Sequence, residues 1–324
     1  QTLTSHGARG HNLKNVTVNI PLARLVAVVG VSGSGKSSLI LDTLGRAAER
    51  RFHGGNDLIE PHDQITGWDY LDDAILIDQS AIGRTPRSNA ATYTDVFTAI
   101  RQAFASQPEA HNLDASHFSF NTPGGRCERC EGAGVLTVNM QILPDVEVRC
   151  PVCRGRRFKP EILNVKFDGL DIAEVLDLTI EEGLRHFRAV TPVARKLQVL
   201  ADVGLGYLKL GQPATMLSGG EAQRIKLAKE LSRSARGNIL YLLDEPTTGL
   251  HPDDVNRLLA VLQRLADAGH TVLVIEHNTE LIRAADWVIE LGPEGGTAGG
   301  YLIAEGTPDE IAHNPASLTA PFMR

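Results

Sequence analysis

The sequence predicts an α/β protein whose core sheet is interrupted by an inserted subdomain. Continuous apolar, β-branched runs occur at residues 25–29, 239–243 and 271–275, and such runs are typical of strands buried on both faces of a parallel or mixed sheet. All four cysteines of the chain lie between the first and second runs, at residues 127–153. We therefore expect one sheet built from distant segments, with a separate cysteine-containing module between them.

Composition limits the classes of protein to consider. The chain has 324 residues and a net charge of −7, so any attraction to nucleic acid must come from a local patch. No apolar run approaches the roughly 18 residues needed to cross a bilayer, and the first residues do not resemble a secretory signal. We expect a soluble, cytoplasmic protein with no membrane partner.

The first buried run leads into a glycine-rich segment. Residues 30–37 read GVSGSGKS and fit the phosphate-binding pattern G-x-x-x-x-G-K-[ST]. In this pattern backbone N–H groups surround the phosphates, Lys36 contacts the β- and γ-phosphates and the Ser37 hydroxyl can bind Mg²⁺. The alternative is a glycine-rich turn that binds no nucleotide. We assign ATP binding to Gly30, Ser32, Gly33, Ser34, Gly35, Lys36, Ser37 and Ser38.

Polar residues follow the two later runs. Asp244 and Glu245 come after residues 239–243, an arrangement in which the first carboxylate holds Mg²⁺ and the second polarises an attacking water. His277 follows the third run, where an imidazole can contact the γ-phosphate and orient that water. The alternatives are ordinary strand-end polarity for the acids and a structural role for the histidine.

The cysteines form two CxxC pairs separated by 19 residues, and a glycine lies just beyond each pair. This spacing suits a closed, structural Cys₄ zinc site, although a redox dithiol is an alternative. The region from Arg126 to Lys159 carries seven basic and four acidic residues, so it is locally basic. It can contact phosphates or be a solvated face. The predicted zinc ligands are Cys127, Cys130, Cys150 and Cys153.

A second anion site is predicted at residues 218–220. Ser218, Gly219 and Gly220 precede a helical pattern, and the free N–H groups of a helix N-terminus favour an anion. We expect that helix to place Ile225, Leu227, Ala228 and Leu231 inward, and to place Arg224, Lys226 and Lys229 outward.

Together these segments resemble the UvrA family of damage-recognition ATPases in bacterial nucleotide excision repair, and specifically the C-terminal nucleotide-binding half. The resemblance spans nearly the whole chain and rests on the segments GVSGSGKSSLI, IDQSAIGRTPRSN, FNTPGGRCERCEGAG, LPDVEVRCPVCRGRR, LGQPATMLSGGEAQRIKLA, LDEPTTGLH and VIEHN. It implies an ABC-type ATPase core at residues 1–80 and 210–324. Residues 81–209 would form an inserted signature domain, with a zinc module at about 118–160.

The resemblance also implies roles and partners. Gln79 would sense Mg²⁺ and the attacking water, whereas Ser218, Gly219 and Gly220 would contact the ATP of another cassette. That second cassette would be a missing N-terminal half or a second copy, and since the chain begins at Gln1 we expect a longer natural protein. Damaged double-stranded DNA would be bound, and UvrB would be engaged through the other half. One ATP and its Mg²⁺ would be held by Lys36, Ser37, Gln79, Asp244, Glu245 and His277.

The sequence departs from the family pattern in two places, which adds alternatives to the predicted function. Ala90 stands where proline is common, and residues 50–69 form a short connection. Both are compatible with a UvrA-like paralogue that serves antibiotic self-resistance. Another alternative is an ABC module whose zinc arm binds protein and has no role on DNA.

Overall fold

The computed structural model describes residues 1–140, 143–233 and 237–323. Its strands are β1 (Thr2–Ala8), β2 (Val16–Pro21), β3 (Leu25–Val29), β4 (Gln64–Thr66), β5 (Asp73–Ile77), β6 (Val135–Met140), β7 (Leu143–Arg149), β8 (Ile239–Asp244), β9 (Thr271–Ile275), β10 (Trp287–Gly292) and β11 (Tyr301–Gly306). Its α-helices are α1 (Arg46–His53), α2 (Ala90–Tyr93), α3 (Val96–Ala105), α4 (Pro160–Leu163), α5 (Ile172–Asp177), α6 (Ile180–His186), α7 (Thr191–Leu200), α8 (Gly219–Leu231), α9 (Pro252–Asp267), α10 (Thr279–Ala284), α11 (Pro308–His313) and α12 (Ala320–Met323). Wider π-type turns form Ser38–Gly45, which runs into α1, and Ala201–Leu205 after α7; tighter 3₁₀ turns form Trp68–Tyr70, Ala214–Met216 and Gly296–Ala298.

The chain divides into two compact units. The first comprises Gln1–Gln79 with Ser234–Arg324, and the second comprises Ser80–Arg233. The second unit includes the helix that follows the signature residues, whereas the sequence-based division counts residues 210–324 with the ATPase core. That division remains a prediction.

The first unit contains a six-stranded sheet of order β11-β10-β3-β9-β8-β5. All of its neighbouring strands are parallel except β11, which pairs antiparallel with β10. Every residue of β3 and of β9 is buried, as the apolar runs predict. Since the carboxyl ends of parallel strands meet at one edge, this sheet places the segments after β3, β5, β8 and β9 together.

Two strands of the first unit lie outside the buried runs that the sequence indicates. Within the short connection at residues 50–69, residues 64–66 form β4 at the edge of a small sheet of order β2-β1-β4. After β10, β11 pairs antiparallel with it at the edge of the six-stranded sheet.

The second unit is mainly helical and carries the hairpin β6-β7. Its core includes paired phenylalanines, with ring centroids 4.9 Å apart for Phe97 and Phe120 and 5.7 Å apart for Phe104 and Phe118. Thr94 precedes α3, and its hydroxyl donates to the carbonyl oxygen of Ala90 at 2.8 Å. Residues 141 and 142, in the linker between the two cysteine pairs, lie outside the described residues.

None of the helices in the described ranges is both long enough and apolar enough to cross a membrane.

Candidate functional site

The phosphate loop lies where the sequence places it, between β3 and the helical turn Ser38–Gly45. Its backbone depends on glycine. Gly30 has φ 140°, and a Cβ there would lie 2.1 Å from the carbonyl oxygen of Leu291. Gly35 has φ 103°, and a Cβ there would lie 2.6 Å from a methyl group of Leu13. Other residues would therefore be excluded at both positions by conformation and by space.

Lys36 is held inside this loop. Its side chain is buried, and Nζ donates to the carbonyl oxygens of Gly30 at 2.8 Å and Val31 at 2.9 Å. Burial lowers the pKa of Lys36, while the carboxylates of Glu245 and Asp244 act in the opposite direction. The ammonium is thus fixed among the loop's own backbone atoms and near both acids.

The sequence does not predict the hydrogen bonds that fix the tip of the phosphate loop. The Asn12 side-chain amide donates to the carbonyl oxygens of Gly33 at 2.8 Å and Gly296 at 2.9 Å. The N–H of Gly296 also donates to the Gly33 carbonyl, at 3.0 Å. The repeated glycines at 295–300 were the available signal, because such a segment allows close approach of another backbone.

The edge of the sheet brings together Gln79, Asp244, Glu245 and His277. The Nε2 atom of His277 lies 2.7 Å from Oε1 of Glu245, and the Gln79 side chain donates to the backbone carbonyl of Asp244 at 3.1 Å. Burial and then the neighbouring Glu245 raise the pKa of Asp244, while Lys36 and His277 oppose the change. A divalent cation would offset this crowding of negative charge, so the donor set fits Mg²⁺.

The signature residues lie in the second unit, at the start of α8. Ser218 caps the helix: its hydroxyl accepts from the N–H of Glu221 at 3.3 Å, and its own N–H donates to Oε2 of Glu221 at 2.7 Å. Gly219 and Gly220 form the first residues of the helix. The hydroxyl of Tyr207 donates to the other oxygen of Glu221, at 2.8 Å.

One prediction about α8 is wrong. Ile225, Leu227 and Ala228 are buried as expected and Leu231 is half-buried, but Arg224, predicted to lie outward, is also buried, with 1% of its surface exposed. Burial alone would raise the pKa of Glu221, yet hydrogen bonds from Ser218 and Tyr207 and the charge of Arg224 lower it. The negative charge of Glu221 therefore offsets part of the free-energy cost of burying the Arg224 guanidinium.

The four cysteines converge in the second unit. Their sulfurs all lie within 4.8 Å of one another, with Sγ–Sγ distances of 4.0 Å for Cys127–Cys150 and 3.6 Å for Cys130–Cys153. Tetrahedral zinc with Zn–S bonds of about 2.3 Å requires sulfurs roughly 3.8 Å apart, so the set fits this ion. Left-handed backbone closes each knuckle, at Glu131-Gly132 and at Arg154-Gly155.

Several proteins of known name are similar to this chain in sequence. No protein-family model matches the chain. UvrABC system protein A of Mesorhizobium japonicum is 58% identical over 320 residues, which are 98% of this chain and 33% of that protein. The protein of the same name from Thermus thermophilus is 58% identical over 312 residues, covering 96% and 33%. The chain belongs to the UvrA family.

A solved relative shows the same fold. The crystal structure of UvrA2 from Deinococcus radiodurans superimposes with a TM-score of 0.90 and 48% identity, covering 100% of this chain and 39% of that one. The chain spans about a third of the length of the curated UvrA relatives it matches. It is one nucleotide-binding half of the UvrA type, an ABC-type ATPase cassette whose four-cysteine cluster is consistent with a zinc subdomain.

The zinc assignment in this UvrA-family chain predicts a metal content of about one zinc per chain. Replacing Cys150 with serine should remove most of the zinc and lower the melting temperature, because the closed site cross-links β6-β7 to its flanks. Val152→Ser is a matched control, since Val152 lies between two ligands and is 68% exposed. Elemental analysis checks both variants. A folded, metal-free wild-type protein would contradict the site.

The lowered pKa of Lys36 predicts a pH dependence for ATP affinity. Bound phosphate favours the charged lysine, so affinity should be full below the pKa of the free site and fall as pH rises through it. Because burial lowers that pKa, the loss should begin at a lower pH than for an exposed lysine. Titration of ATP binding against pH checks this, with Lys36→Arg as the control that keeps its charge. An unchanged affinity up to the ordinary lysine range would contradict the prediction.

Proposed function

We propose that this chain is the ATP-hydrolysing half of a UvrA-like protein that recognises DNA damage in nucleotide excision repair. The proposal rests on the combination of features in one chain: a phosphate loop with its facing acids, a signature helix and a Cys₄ cluster. This chain is also 58% identical to proteins named UvrABC system protein A.

In this proposal the first unit binds and cleaves ATP. Lys36 contacts the phosphates, and the Ser37 hydroxyl and Asp244 carboxylate would hold Mg²⁺, which neutralises phosphate charge when bound. Glu245 accepts a hydrogen bond from the attacking water and polarises it. His277, paired with Glu245 at 2.7 Å, and Gln79 orient that water and the γ-phosphate.

The signature residues complete a site on another cassette. Ser218 already uses its hydroxyl and N–H within the capping box, and the N-terminal N–H groups of α8 favour an anion. ATP would therefore be held between the phosphate loop of one cassette and the signature of another. The second cassette is the other half of a longer chain or a second copy, and UvrB is engaged through that other half.

The zinc module is the proposed contact for double-stranded, damaged DNA. Several of its basic side chains are already paired: Arg156 with Asp171, Lys159 with Glu128 at 2.6 Å and Arg126 with Glu131 at 3.7 Å. Arg129, Arg149 and Arg154 are exposed, so they are the arginines best placed to contact phosphates.

Salt-dependent binding to duplex DNA tests this role. Each phosphate contact releases counterions, so affinity should fall steeply with salt, and Arg129→Ala with Arg154→Ala should reduce the slope of log K against log salt by about one to two. Arg24→Ala, an exposed arginine of the first unit, is the control. Zinc content must stay at the wild-type level in each variant. Absence of duplex binding, with a protein partner bound instead, would favour the alternative of a protein-interaction arm.

A further inference from the structure

Glu276 is a buried carboxylate between β9 and His277 for which sequence reasoning gives no role. Its side chain is 2% exposed. Oε1 accepts from the N–H of Thr247 at 2.9 Å, and Oε2 accepts from the N–H of His277 at 2.9 Å and of Asn278 at 3.2 Å. A buried carboxylate costs free energy unless such donors compensate it, so three backbone N–H groups fix its place.

Those contacts join the two segments that carry the candidate catalytic pair. Thr247 lies two residues after Glu245, and His277 is the neighbour of Glu276 itself. Glu245 has φ 47°, a left-handed conformation that a residue with a side chain rarely adopts. Its N–H donates to the carbonyl of Ile275 at 2.9 Å, and its carbonyl accepts from the N–H of Thr248 at 3.1 Å.

The Glu245–His277 contact by itself is a weak constraint. The two side chains are 41% and 52% exposed, and a single solvated hydrogen bond fixes exposed groups poorly. Glu276 supplies the buried link behind it. Removing its carboxylate would leave the N–H groups of Thr247 and His277 without this acceptor. The two segments would then be joined through the Glu245 N–H and the Ile275 carbonyl, without the side-chain link that fixes Thr247 to His277.

We propose that Glu276 is a positioning residue for ATP hydrolysis, which holds the backbones of the Glu245 and His277 segments so that the two side chains meet. The inference rests on the proposed ATPase function. The Glu276 carboxylate is bound by backbone N–H groups, so its loss should act on turnover and leave ATP binding to Lys36 and the phosphate loop.

A steady-state comparison of three variants tests the proposal. Glu276→Ala should lower kcat about ten- to a hundredfold, because small misplacements of reacting groups are costly, with ATP affinity within about twofold of wild type. Glu276→Gln keeps the length and one acceptor oxygen and should lose less. Glu280→Gln, the same chemical change on an exposed residue of α10, should behave as wild type. Wild-type kcat in Glu276→Ala, or equal losses of ATP affinity and kcat, would overturn the proposal.

A spectroscopic measurement separates this inference from the proposed function. The ¹⁵N shifts of the His277 ring, assigned with a His277→Gln variant, should report the hydrogen bond to Glu245 in wild type. Glu276→Ala should shift them towards the values seen in Glu245→Ala, which lacks the acceptor, and Glu280→Gln should not. If wild type lacks ATPase activity but the shifts change as expected, the proposed function fails and the positioning role stands. Unchanged ring shifts in a folded Glu276→Ala protein would overturn the positioning role.

Discussion

Lys36→Ala is expected to abolish ATP turnover. The lysine is the cation inside the phosphate loop, held by the carbonyls of Gly30 and Val31 and near both acids. Loss of such a preorganised charge typically lowers turnover about 10²–10³-fold, and here ATP affinity should fall as well. Phosphate release and equilibrium ATP binding measure the two effects.

A matched control for this change is Lys14→Ala, since Lys14 is an exposed lysine of the same unit. It removes the same charge from the first unit and should leave both measurements unchanged. Full activity in Lys36→Ala, with the protein folded, would remove the phosphate-loop assignment.

Glu245→Gln is expected to leave ATP bound but to slow its hydrolysis, by about 10²–10⁴-fold if the carboxylate polarises the attacking water. The glutamine keeps the shape of the side chain and can still contact His277, which lies 2.7 Å from Oε1 in wild type. Single-turnover hydrolysis and ATP binding measure the two steps separately.

The control for this variant is Glu280→Gln, which should keep normal turnover. If Glu245→Gln loses ATP binding to the same degree as hydrolysis, the carboxylate is structural and the catalytic role must move to another residue.

Local sequence signals predicted the parts of the site that depend on local chemistry. The phosphate loop, the buried runs of β3, β8 and β9, and the paired cysteines are each specified by neighbouring residues, so pattern and spacing were sufficient. The parallel strands also explain why Asp244 and Glu245, which are distant from Lys36 in sequence, lie near it in the structure. The carboxyl ends of parallel strands meet at one edge of the sheet.

Contacts between distant segments could not be read in the same way. Asn12 and Gly296 are 284 positions apart, and nothing in either segment alone indicates that they brace the phosphate loop. No sequence signal marked Glu276, although its burial and its three backbone donors give it a specific place. Arg224 was assigned outward because a helical pattern counts charge as exposed, whereas a nearby carboxylate makes its burial tolerable.

We propose that each ATP site is shared between two cassettes, and mixing two inactive variants tests this arrangement. Lys36→Ala removes the phosphate loop but keeps the signature, and Ser218→Arg does the reverse. At a protein concentration where wild type is active, each variant alone should be inactive. An equimolar mixture should recover roughly a quarter of the wild-type activity, because half of the random two-fold pairs carry one intact composite site. A mixture as inactive as its components, with both variants folded, would contradict the shared site.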